Sequence, residues 1–130
     1  MLVLSIRTDK PQAELYLHNG KKKLASLKWQ ADRQLTTTIN QKINELLDES
    51  SIKLNDLAGI VCYEGPGSFT GLRIGLSLAN ALAYSQDIPI VSETGENWVS
   101  AGIDRIKNGE NEKITLPKYG APAKASQPNK

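Results

Sequence analysis

The residue types and spacing best suited to chemistry lie in one stretch, GPGSFTGLRIG, from Gly65 to Gly75. Four glycines and a proline within eleven residues break regular structure. Before them, Gly59-Ile60-Val61-Cys62-Tyr63 has the length and β-branched content of a buried strand, and after them Leu72 to Ser85 is an apolar helix. A strand-to-helix corner of this kind can hold phosphate, because glycines let backbone N–H groups approach an anion and the helix start adds partial positive charge. Two familiar versions do not fit. A P-loop needs Lys then Ser or Thr after its last glycine, whereas Gly71 precedes Leu72 and Arg73; and Gly65, Gly67 and Gly71 are spaced GxGxxxG, not GxGxxG. The alternative is a structural corner in which the Ser68 or Thr70 hydroxyl caps the helix. On the residues alone both readings stand.

Other reactive side chains are scattered. The single cysteine, Cys62, sits inside the apolar strand, and the single histidine, His18, lies beside the Asn19-Gly20 turn, so no Cys–His nucleophile is suggested. One cysteine also excludes an intramolecular disulfide framework and fits a reducing compartment. Glu93, Glu96 and Asp104 lack the paired spacing or the histidine that metal or acid–base work requires, and read as solvated loop and helix ends. Lys21, Lys22 and Lys23 read as a solvated hairpin tip, with contact to an RNA backbone as the sharper alternative.

The elements that must position these residues follow in order. Leu2 to Ile6 reads as a central strand; Ala13 to His18 and Leu24 to Trp29 flank Asn19-Gly20, a strong hairpin signal, so the first three strands form an antiparallel meander. Leu35, Ile39, Ile43, Leu46 and Leu47 make one apolar stripe of a helix over 35–47 whose other face, Thr36, Thr37, Thr38, Asn40, Gln41 and Asn44, is polar but mostly uncharged. Uncharged amides and hydroxyls are cheaper to desolvate than ions, so such a face is suited to cover by a protein as well as to ordinary solvent exposure, and on the residues alone exposure is the simpler reading. The helix over 72–85 carries Leu72, Leu76, Ala79 and Ala83 along one side and Ile74, Leu78, Ala81, Leu82 and Ser85 along the other. A helix apolar nearly all round needs burial twice, and Gly75, Ser77, Ala79, Ala81 and Ala83 would let a neighbour approach closely. Either another subunit or the first helix must cover the second side. Ile88 to Val91 is the next strand, Glu96 to Lys107 a third helix, and Ile114 to Pro117 a short extended piece.

The chain has 130 residues and a formal charge of +2, enough for one domain's core and too little charge to argue for nucleic acid. Residues 1–117 are expected to form a single lobe and 118–130, rich in Ala, Pro, Lys, Ser, Gln and Asn, a disordered basic tail. Arg7, Asp9 and Lys10 end the first apolar run far short of a signal sequence, and no later stretch approaches a membrane span, so a cytoplasmic protein is expected.

The string GPGSFTGLRIG, within GIVCYEGPGSFTGLRIGLSLANALA, resembles the signature of the TsaB (YeaZ-like) family, subunits in synthesis of the threonylcarbamoyladenosine modification of tRNA. The similarity runs from Met1 to about Trp98, and Pro117-Lys118-Tyr119 is similar to a Pro-x-Tyr near the family's C-terminus. The resemblance implies an α/β fold, a single ribonuclease-H-like lobe of the actin/Hsp70-type ATPase superfamily with a mixed sheet in the order βββαβαβα. Full relatives have two lobes, and this chain resembles the first plus a C-terminal tail. It implies a noncatalytic scaffold with no cofactor and no catalytic or metal residues, pairing with a TsaD-like catalytic subunit and engaged by a TsaE-like ATPase. Contact with tRNA would be indirect or weak. Carried onto this sequence, the partner contact would use Leu35, Ile39 and Ile43 of the first helix and Arg73, Ile74, Ser77, Leu78, Ala81 and Leu82 of the second. Gly65, Pro66, Gly67, Ser68, Thr70 and Gly71 would form a structural loop. The first strand departs from the pattern, since many relatives have an Asp-Thr pair where this chain has Arg7-Thr8. A cation there opposes Mg²⁺–nucleotide binding. A homodimeric interaction module and a degenerate nucleotide-binding or glycoprotease-like enzyme are the alternatives.

Overall fold

The computed structural model describes residues 1–117, and Lys118 and the tail expected after it lie outside the described residues. Three strands, β1 (Leu2–Arg7), β2 (Gln12–Asn19) and β3 (Lys22–Gln30), form the expected antiparallel meander. Helix α1 (Leu35–Glu49), strand β4 (Gly59–Tyr63), helix α2 (Phe69–Gln86), strand β5 (Ile90–Glu93) and helix α3 (Trp98–Lys107) follow, giving βββαβαβα. The sheet order is β3-β2-β1-β4-β5, with β4 parallel to both β1 and β5, so the sheet is mixed.

Period-2 alternation sends alternate residues of each strand to opposite faces. Leu4 and Ile6, Leu15 and Leu17, Ile60 and Cys62 point to one face, where α1 and α2 cover them with Leu35, Ile39, Ile43, Leu46, Leu47, Leu72, Leu76, Ala79 and Ala83. The other face carries Val3, Val61, Tyr63 and Val91 and is covered by α3 through Trp98, Ile103 and Ile106. Gly102 lies where any Cβ would strike the Val61 side chain, which lets α3 sit close to β4.

Several boundaries differ from the sequence expectation. Helix α2 begins at Phe69, three residues before Leu72, because Ser68 caps it by accepting from the Gly71 N–H at 3.4 Å. Strand β5 begins at Ile90, not Ile88: Asp87 is left-handed (φ 54°) and the Ile88 N–H bonds the Ala83 carbonyl, closing the α2 C-terminus. Helix α3 starts at Trp98 instead of Glu96, and α1 runs on to Glu49. Lys22 and Lys23 belong to β3, so the hairpin tip is Gly20-Lys21, and an irregularity between Leu17 and His18 sets His18 opposite Lys23. Ile114 to Pro117 forms no strand. Instead Thr115 is held by Asn80 of α2, its N–H and hydroxyl donating to Asn80 Oδ1 at 2.9 and 3.0 Å while Asn80 Nδ2 donates to its carbonyl at 3.0 Å.

Candidate functional site

Two places bear on function: the corner between β4 and α2, and the groove between α1 and α2. At the corner, the glycines meet the end of β1. A Cβ on Gly67 would strike Asp9, one on Gly71 the Thr8 carbonyl oxygen, and one on Gly75 the Thr8 hydroxyl. Thr8 Oγ1 donates to the Gly71 carbonyl at 2.7 Å, and the Ser68 N–H to the Asp9 carbonyl at 2.9 Å. The Thr94 hydroxyl donates to the Gly65 carbonyl at 2.5 Å, and Gly65 has φ +114°, which glycine alone adopts easily. Pro66 and Thr70 are exposed. The Cβ side of Gly67 and Gly71 is thus filled by the β1–β2 turn, and the Ser68 N–H is committed to it.

The same turn disfavours a divalent cation. Arg7 grips Asp9 with both arms, Nε to Oδ1 at 2.7 Å and Nη2 to Oδ2 at 3.1 Å, and its guanidinium lies 3.9 Å from the Tyr63 ring centre. The carboxylate near β1 is therefore occupied by an internal cation. Among the described residues no group of three or more His, Cys, Asp or Glu is placed to hold a metal. Glu93 pairs with Arg105 at 3.0 Å and Asp104 with Lys21 at 2.8 Å, so these acids serve ion pairs in separate places. Cys62 is wholly buried, and burial pushes its thiol well above the ordinary range, which makes it inert as a nucleophile.

Between α1 and α2 runs an open groove of about 460 Å³. Ile39, Arg73, Ile74, Ser77 and Leu78, all expected at a partner contact, line it together with Thr36, Asn40, Phe69 and Thr70. Leu35 and Ile43 do not: they are 5% and 3% exposed and belong to the core, because the apolar stripe of α1 is what holds that helix to the sheet. Ile39, 2% exposed, contributes only the groove floor. In the isolated chain all three of these side chains face the sheet, and the α1 residues exposed along the groove are the uncharged Thr36 and Asn40. Ala81 is exposed beside the groove, and Leu82 is half-buried against the core.

Phe69 was missed. It reads as loop in the sequence, yet it opens α2, is 51% exposed and has the Arg73 guanidinium 5.3 Å from its ring centre, the i,i+4 placement of a helix. The signal was available in the Ser68 cap.

A five-stranded mixed sheet with two helices on one face and one on the other defines the class, a ribonuclease-H-like α/β lobe. A Thermus thermophilus RuvC bound to a Holliday junction aligns over 95% of this chain and 84% of its own, with a TM-score of 0.54 at 12% identity, a likeness of fold alone. YeaZ from Pseudomonas aeruginosa aligns over 72% of this chain and 43% of its own, with a TM-score of 0.67 and 25% identity.

Within that class the sequence is specific. The model of the tRNA N6-adenosine threonylcarbamoyltransferase (TsaD) family matches residues 29–94, just over half of the chain and the segment that holds α1, the corner and α2. The tRNA threonylcarbamoyladenosine biosynthesis protein TsaB of Haemophilus influenzae is 33% identical over 111 residues, 85% of this chain and 46% of that protein. The chain belongs to the tRNA N6-adenosine threonylcarbamoyltransferase family, as a member of its TsaB/YeaZ type. It spans less than half the length of these TsaB and YeaZ relatives. No helix among the described residues is long and apolar enough to cross a membrane.

Proposed function

We propose that this chain is a noncatalytic, cytoplasmic scaffold in threonylcarbamoyladenosine modification of tRNA, and that it docks a TsaD-like catalytic subunit along α2 and the adjoining edge of α1. A TsaE-like ATPase would engage the pair, and contact with tRNA would be indirect. The observation that carries the reading is the outer side of α2. Leu72, Gly75, Leu76, Ala79 and Ala83 satisfy the core, while Ile74, Leu78 and Leu82 remain only half-covered and Phe69 and Tyr84 stand 51% and 90% exposed. The helix thus has more apolar surface than its own lobe covers, and the groove rim contributed by α1 is polar without charge, which a partner can desolvate at modest cost. The noncatalytic part of the reading is supported by the Arg7–Asp9 pair and by the packing of Thr8 into the glycine corner.

Light scattering of the full chain, alone and mixed with a TsaD-like subunit, tests this together with Leu78→Glu. The native chain should form a heterodimer, exchanging from any homodimer. Leu78→Glu should keep its far-ultraviolet spectrum yet lose affinity by about a hundredfold or more, the consequence of an unpaired charge in an interface. Absence of a heterodimer with the native chain, or a Leu78→Glu chain that unfolds, overturns the reading.

A further inference from the structure

The charges at the two ends of the α1–α2 groove are arranged against the helices that carry them. Helix α1 ends on Asp48 and Glu49 with no basic residue in its last turn, and it has no acid in its first turn. Arg33 lies in the single 3-10 turn that leads into it. Helix α2 likewise has no acid in its first turn and carries Arg73 one turn in. A helix start is the positive end of the backbone dipole and its finish the negative end, so acids at the finish cost stability that bases there would add. Helix α3, on the other face of the sheet, ends on Arg105 and Lys107 as the dipole favours.

The two helices point the same way, because each leads back into a strand parallel to β1. Both starts therefore lie at one end of the groove. There a cleft of about 820 Å³, joined to the groove through Thr70 and Ile74, is lined by Lys10, Asp32 and Arg33. Lys10 is taken by Glu14 at 3.5 Å, which leaves Arg33 and Arg73 as the open cations and Asp32 as the acid beside them. At the far end Asp48 continues the exposed row Thr36, Asn40, Asn44, one turn apart each, with Glu49 next to it and Asp87 after α2; Lys53 is the cation there. The middle carries only the Lys42–Glu45 pair, which cancels itself at 3.7 Å. Among the described residues Arg33, Arg73, Asp48 and Glu49 form no ion pair.

We propose that these end charges fix the direction in which the partner docks: its helices lie antiparallel to α1 and α2, with an acidic end on Arg33 and Arg73 and a cationic end on Asp48 and Glu49. The inference rests on the TsaD-like partner of the preceding reading. The family model that matches both helices of this chain is that of TsaD, so such a partner brings a similar helix pair. Two similar pairs meet face to face either start against start or start against finish. In the first arrangement like charges and like dipole ends abut, and in the second opposite ones do. The uncharged middle, with Ile74 and Leu78, supplies affinity in either direction, so the ends carry the choice. Local stability given up in α1 is thus returned on docking, the pattern expected where a sequence breaks a helix rule at a functional surface.

The full chain, alone and with a TsaD-like subunit, gives two readouts that should move in opposite directions. Asp48→Lys exchanges an acid at the α1 finish for a base, so the Tm of the chain alone should rise by about 1–4 °C. The same change should weaken association about fivefold at low ionic strength, with the deficit fading in about 0.5 M sodium chloride. Arg73→Glu should weaken it about tenfold with the same salt dependence. Cys62 is buried, so a spin label on Thr37→Cys, near the start of α1, is the single label on this chain. In the complex it should lie closer to a label at the finish of the partner's matching helix than to one at its start, by up to about 20 Å, the length of a helix like α1. Charge reversals that leave association unchanged, a deficit that persists in high salt, or a label closer to the partner's helix start would each overturn the orientation while the heterodimer stands. A native chain that forms no heterodimer overturns both readings.

Discussion

Replacing Gly71 by alanine distinguishes a corner built for packing from one built for a ligand. Gly71 lies in the first turn of α2, where its carbonyl accepts from Thr8 Oγ1 at 2.7 Å and where a Cβ would strike the Thr8 backbone oxygen. Both colliding groups are fixed to backbone, so no side chain can swing aside. Overpacking of this kind costs about 1–3 kcal/mol, and displacing the Thr8 hydrogen bond costs about 0.5–1.5 kcal/mol more. Opposing this is the gain of alanine over glycine in a helix, about 1 kcal/mol. The balance is a net loss of about 1–3 kcal/mol, or roughly 4–12 °C in Tm for a domain of this size. Urea denaturation followed by circular dichroism reads it directly, with Ser77→Ala on the exposed side of α2 as the control that reports helix propensity alone. Were Gly71→Ala as stable as the native chain, or more stable by the propensity gain, the Thr8 contact would not hold the corner, and the glycine would have to be explained by approach of a ligand.

Further tests follow from buried groups on either side of the sheet. Burial and the hydrogen bond to Glu14 push the Tyr16 phenol up to about 12, so absorbance titration should show one tyrosine ionising late, and Tyr16→Phe should remove that step. Because the folded value exceeds the ordinary 10, the associated stability is fully present below pH 10 and is lost as pH rises through 12. Cys62 is 1% exposed with its thiol held protonated by burial, so dithionitrobenzoate should label it in the native chain only at the rate of opening, and at once in denaturant; rapid native labelling would contradict its place in the core.

Local pattern determined much of this protein. The continuous apolar runs of β1 and β4, the alternation in β2, the Asn19-Gly20 turn and the apolar stripes of the helices encoded the order βββαβαβα, because run length and hydrophobic period fix which residues must face inward. The apolar excess of α2 and the identity of the glycine corner as a strand-to-helix connection were equally legible, since both depend on residues within one element. What local pattern could not decide was which side of each stripe stays open. Leu35 and Ile43 have the same apolar character as Ile74 and Leu78; only the docking of α1 onto β2 and β3 buries the first pair and leaves the second along a groove. The partner of the glycines was likewise invisible, because Thr8 and Gly71 stand 63 positions apart and are brought together by the parallel pairing of β1 with β4. Lys21 of the hairpin tip and Ser100 of α3 met for the same reason: period specifies a face, and only the closed tertiary structure specifies the neighbour across from it.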